Sequence, residues 1–140
     1  MASDRDRMLR LKRRMLDLPK SIREAASRAT LEGAEELAAS IRNLAPVDSG
    51  ALRDSIVVTP GGQTTPPYSQ PGGSQVVSEN AAVVTVGNTD ARYPHLVEYG
   101  TKDTTAQPFF WPAVRSKRKR LAARIKRQIT KAAKEEWKGK

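Results

Sequence analysis

The chain has 140 residues, 38% hydrophobic and only 5% aromatic, no cysteine, and a net charge of +10. That length is one ordinary domain, 1–140, with a modest core that gains from partners. The missing cysteine excludes disulfides, thiol nucleophiles and cysteine-bound metal. No apolar run nears the roughly 20 residues that span a bilayer, and the start, MASDRDRMLRLKRR, lacks a signal-peptide core. This predicts a chain made in the cytoplasm, with no membrane partner.

Residues 1–18 read as a basic N-terminal helical extension. Met8, Leu11, Met15 and Leu18 recur at helical steps over 4–18. Pro19 either kinks one long helix or opens a second at its first turn, with Asp17 as the cap. From Lys20 to Leu44 the positions Ile22, Ala26, Ala29, Gly33, Leu37, Ile41 and Leu44 make one narrow apolar face. Its small residues invite close approach by another element. Ala45-Pro46 ends this helix, because the residue before proline disfavours the α region. Asp48-Ser49-Gly50 is a turn.

Leu52 to Thr59 reads as a strand, carried by β-branched Ile56, Val57 and Val58. Residues 60–75, PGGQTTPPYSQPGGSQ, form a Pro/Gly-rich loop that holds no regular element and is functional or disordered. Val76-Val77 and Ala82 to Val86 read as a hairpin about Glu79-Asn80, and His95 to Tyr99 as a fourth strand closed by Gly100. Pro108 to Pro112 gathers Phe109, Phe110 and Trp111. A basic C-terminal helix then runs over 112–138, about 39 Å long. The fold class is α+β: a long N-terminal helix, a small antiparallel sheet of about four strands, and a long basic C-terminal helix.

The charge is unevenly distributed. Residues 113–140 hold 12 Lys/Arg against 2 Glu, residues 1–20 hold 7 against 3, and residues 21–112 hold 6 against 10. The candidate DNA-facing side chains are Arg115, Lys117, Arg118, Lys119, Arg120, Arg124, Lys126 and Arg127. A solvated face is the plain alternative, but the helix lacks the acidic i,i+4 partners that balance such a face. Phosphates would supply the counter-charge. With no aromatic interleaved and no reading motif, the contact would be to backbone and not to bases.

No catalytic residue, cofactor or metal is expected. His95 stands alone, which argues against a zinc site, and a strand-edge or hydrogen-bonded histidine is the ordinary reading. Glu98 either faces solvent or is buried with Arg53 or Arg92 as partner. Gly61-Gly62 and Gly72-Gly73 lack the lysine and helix of a phosphate-binding loop. A hydrolase built on His95 and Glu98 would need a further placed carboxylate that the sequence does not signal.

Three stretches, in order, carry a family resemblance. Ala45-Pro46-Val47-Asp48-Ser49-Gly50-Ala51-Leu52-Arg53-Asp54-Ser55-Ile56 resembles the "aPvdtGxLrxSI" segment of the tail-component family typified by phage HK97. Tyr93 to Thr101 resembles its "ya..vEfGt" element, and Gln107 to Ala113 its "pfl.pA" element; Val83 to Gly87 is similar to a "v.vg" strand. The resemblance spans residues 20–137. It singles out Pro46, Gly50, Leu52, Glu98, Gly100, Pro108, Phe109 and Pro112 as structural positions. It implies a non-enzymatic homo-oligomeric ring, six-fold symmetric, in a phage neck. Such a ring joins the DNA-filled head to the tail beside other neck and tail proteins. It would reside in the virion after assembly in the host cytoplasm. Alternatives are a tail terminator or stopper ring, and a non-specific DNA-binding protein outside the virion. The long 60–75 loop and the basic helix depart from the family pattern.

Overall fold

The computed structural model describes residues 3–46 and 50–138, with the backbone alone of Lys12, Met15 and Leu16. The elements run α1 (Asp4–Leu16), α2 (Lys20–Leu44), α3 (Ala51–Asp54), β1 (Val57–Pro60), β2 (Ala82–Thr85), α4 (Pro94–Tyr99) and α5 (Phe110–Lys138). Val47, Asp48 and Ser49, and with them most of the expected turn before Gly50, lie outside the described residues.

A pair of antiparallel helices forms the frame. Contacts from Ser21 to Glu136, Glu32 to Gln128 and Glu36 to Arg120 step in opposite directions along α2 and α5. Of the face read from the sequence, Ile22, Ala26, Ala29, Gly33 and Ile41 are buried and Leu37 partly so, whereas Leu44 is exposed; Ala25, Ala34 and Ala38 are buried as well. The two helices meet closely at Gly33, where a Cβ would lie 3.1 Å from Ile125 Cδ1.

Pro19 sits at the N-cap of α2, one residue before its first turn, and makes the break between two separate helices. α1 has its own reciprocal cap. The Ser3 hydroxyl accepts from Asp6 N–H at 3.2 Å, and the Asp6 carboxylate accepts from Ser3 N–H at 3.2 Å. The apolar stripe expected of this segment is not buried: Met8 is 66% and Leu11 56% exposed. The side chain of Met15 lies outside the described ones.

Among the described residues the sheet has two strands and not about four. β1 pairs antiparallel with β2, Val57 opposite Thr85 and Pro60 opposite Ala82. The expected hairpin of Val76-Val77 with Ala82–Val86 is not formed. Val77 instead exchanges backbone bonds with Gly62 and Gln63, and Val76 makes only an isolated bridge to Thr64. Of the expected loop 60–75, Pro60 instead ends β1; residues 61–75 belong to no named helix or strand, yet they are tied down. Buried Thr65 donates to the Gly73 carbonyl and accepts from Gln75 N–H, and Gln70 exchanges two backbone bonds with Val86. The loop therefore folds back against Val86, just past the end of β2.

Two further expectations change. The strand drawn from Leu52 begins as the short helix α3, entered from Gly50 at φ 78° and closed by the Ser55 N–H on the Ala51 and Leu52 carbonyls. The strand drawn over His95–Tyr99 is the helix α4. Pro94 occupies its first turn, where a fixed φ favours the helix, and Leu96 and Val97 N–H reach back to the Tyr93 carbonyl. Alternation over five residues does not separate strand from helix. The core gathers at the C-terminal end of α2: Ala38, Ile41, Ala45, Leu52, Ile56, Val86, Phe109, Phe110 and Ala113. Arg42 of α2 donates to the Ile56 carbonyl at 2.8 Å and so anchors the chain just before β1.

Candidate functional site

Two of the motif stretches converge where α4 meets the start of α5. Glu98 is buried, with no arginine partner. One carboxylate oxygen accepts the N–H groups of Phe109 at 2.8 Å and Phe110 at 3.0 Å; the other accepts that of Trp111 at 3.1 Å. These are orphan donors at the start of α5, and the negative charge also faces the positive end of the helix dipole. Pro112, next in the turn, has no N–H to satisfy. Glu98 thus caps a helix from eleven or more residues away, in place of a local capping residue. The expected partners Arg53 and Arg92 are elsewhere: Arg92 lies over the Tyr68 ring, 3.8 Å from its centroid, and the Arg53 Nε has no hydrogen bond.

The other motif positions are spread over the fold. Phe109 is fully buried and Leu52 nearly so. Gly100 ends α4 at φ 77°, and a Cβ there would lie 2.7 Å from Ala106 N. Pro46 follows the last turn of α2, Pro108 is exposed, and Pro112 sits half-buried in the first turn of α5. Ser55, whose role the sequence did not signal, is fully buried. Its hydroxyl donates to the Leu52 carbonyl at 2.6 Å and accepts from Gly87 N–H at 3.0 Å, which locks α3 to the end of β2.

Beside the cap lies a groove of about 110 Å³ lined by Pro71, Val86, Pro94, His95, Phe109 and Trp111. His95 is exposed on its rim. Both oxygens of Glu98 are engaged by backbone donors, so these two residues do not form an acid–base pair. Among the described residues no cluster of three or more metal-ligating side chains occurs, and no helix is long and apolar enough to cross a membrane. Tyr99 and Trp111, both of the groove's lining, are exposed, with the Trp111 indole donating to the Tyr99 hydroxyl at 2.9 Å, and Leu96 of α4 is exposed too.

Residues 10–100, about two-thirds of the chain, match the model of the family described as "Bacteriophage HK97-gp10, putative tail-component". The chain belongs to this family. No curated protein and no solved structure matches it. Membership makes the chain a bacteriophage tail component, a structural part of the virion. The match stops at Gly100, so the Gln107–Ala113 element and all of α5 lie beyond it.

The eight basic candidates on α5 fall into three groups. Arg120 and Arg124 both grip Glu36 of α2, the second at 2.6 Å. These guanidinium hydrogen bonds hold the Glu36 carboxyl below its ordinary value, with a smaller opposing effect from partial burial. Lys117 is half-buried. Arg115, Arg118, Lys119, Lys126 and Arg127 are exposed and, among the described residues, form no ion pair. The counter-charge from Glu36 was invisible in the sequence of α5, because it comes from another helix.

Proposed function

We propose that this tail component is a neck protein, a six-fold ring that joins the DNA-filled head to the tail. One observation carries the reading. Among the described residues, two unlike groups of large apolar side chains are left uncovered. One comprises Met8, Leu9 and Leu11 of α1, which precedes the start of α2, with Trp137 in the last turn of α5, all more than half exposed; the other comprises Leu96, Tyr99 and Trp111, the last at the opposite end of α5 from Trp137. α2 itself spans about 37 Å over its 25 residues. The 13 residues of α1 span only about 20 Å, so α1 does not reach the far patch of its own chain. Two unlike patches that fit each other are what a heterologous interface requires, and such interfaces form rings where the rotation between copies closes.

The chain has no cysteine, so introduced thiols report contacts cleanly. Met8→Cys and Leu11→Cys are each combined with Leu96→Cys or Tyr99→Cys, and assembled particles are mildly oxidised. The reading predicts a ladder of disulfide-linked species ending at six copies. Incorporation of every variant with monomer alone after oxidation would overturn the ring interface. A tail terminator or stopper ring would use the same closure and differs in its place along the particle.

A further inference from the structure

We infer that the outward half of α5 binds the phosphate backbone of duplex DNA without sequence preference. The surface is defined by what α2 covers. Leu121, Arg124, Ile125 and Gln128 turn toward α2, and Gln128 is tied to Glu32. The opposite half presents Arg115, Arg118, Lys119, Lys126, Arg127 and Lys134, all exposed and all without an ion pair among the described residues. Ser116, Ala122, Ala123 and Thr130 are exposed among them, and Trp137 beyond Lys134. The only carboxylates of α5 are Glu135 and Glu136 at its far end, and Glu136 is hydrogen-bonded to Ser21.

Like charges at steps of three and four, such as Arg115 with Arg118 and Lys119, disfavour the helix that carries them. The fold relieves this at Arg120 and Arg124 through Glu36 and leaves it unrelieved on the outer half. A polyanion supplies the missing counter-charge. From Arg115 to Lys134 the cations extend about 28 Å, the length of about eight base pairs at 3.4 Å per step. A helix with its side chains is about as wide as the major groove, so cations on its two flanks reach both strands. The choice of DNA over another polyanion rests on the neck reading, in which packaged DNA passes the ring.

The test uses the purified full chain and a random-sequence duplex, with affinity measured between 50 and 200 mM salt. Six phosphate contacts predict a log–log slope of about −5 and a loss of about a thousand-fold across that range. Arg115→Gln/Lys119→Gln/Lys126→Gln should retain its circular dichroism and urea midpoint and flatten the slope by about 2.7. Arg120→Gln, which touches the inward pair, should leave the slope nearly unchanged. Absence of binding at 50 mM salt, or a triple variant that binds like the parent, would overturn the proposal. So would a chain that ignores DNA while the triple variant blocks particle assembly, which would assign the face to an acidic protein instead. The neck reading fails separately, by the position of the chain in the particle.

Discussion

Replacing Glu98 tests whether the start of α5 depends on a carboxylate supplied by α4. In Glu98→Ala three backbone donors lose their acceptor. Trp111 is 41% exposed and finds water, whereas Phe109 and Phe110 are buried at 0% and 9%. Each buried unsatisfied donor costs about 1–3 kcal/mol, and the lost charge at the helix N-terminus adds about 0.3–1 kcal/mol. Water entering the adjoining groove returns part of this, so a net loss of about 3 kcal/mol is expected, a large share of the about 5–15 kcal/mol that holds a domain. Glu98→Gln keeps one oxygen for Phe109 and Phe110 but sets an amide N–H₂ against the Trp111 donor. Its loss should be about 1–2 kcal/mol. Urea unfolding followed at 222 nm measures both, and an unchanged denaturant slope shows that only the native state was affected. For a chain of this size the alanine variant should also melt about 10 °C lower. If both variants unfold within about 0.5 kcal/mol of the parent, the capping argument is wrong and the carboxylate is a bystander.

Gly100→Ala should cost more than about 2 kcal/mol, because φ is 77° and the new methyl meets the Ala106 backbone, which has no flexible end to yield. A urea midpoint equal to that of the parent would contradict it. Glu36 gives a pH signature. Its folded value lies below the ordinary 4.5, so its contribution is complete above that pH and is lost as pH falls below it toward the lowered folded value. The parent should therefore lose stability on acidification through this window more steeply than Glu36→Gln. Identical acid profiles for the two would show that the pairs with Arg120 and Arg124 do not couple to folding.

The parts of this fold legible in the sequence are those with long periodic signals. Ile22 to Ile41 and Leu121 to Ile129 mark α2 and α5 over several turns each, and the alanine and glycine positions announced the close helix contact at Gly33. The short segments were misread for a common reason. Leu52–Asp54 and Pro94–Tyr99 contain too few residues for a period to assert itself, and their state is set by distant partners. Glu98 points inward because α5 needs an acceptor, a demand made by Phe109 to Trp111. The pairing of β1 with β2 across residues 61–81 is likewise non-local, and it displaced the nearer hairpin that Val76-Val77 suggested. The charge asymmetry was plain from the outset, but its division was not. Only the antiparallel seating of α5 on α2 shows that Glu36 takes Arg120 and Arg124 and leaves an outer basic face.

The neck assignment is tested most directly by locating the chain in the particle. Cryo-electron imaging of purified virions in which this chain carries a small C-terminal tag should show tag density as a six-fold ring at the junction of head and tail. Tag density repeated along the tail tube or confined to the distal tip, or virions that lack the chain altogether, would contradict the account.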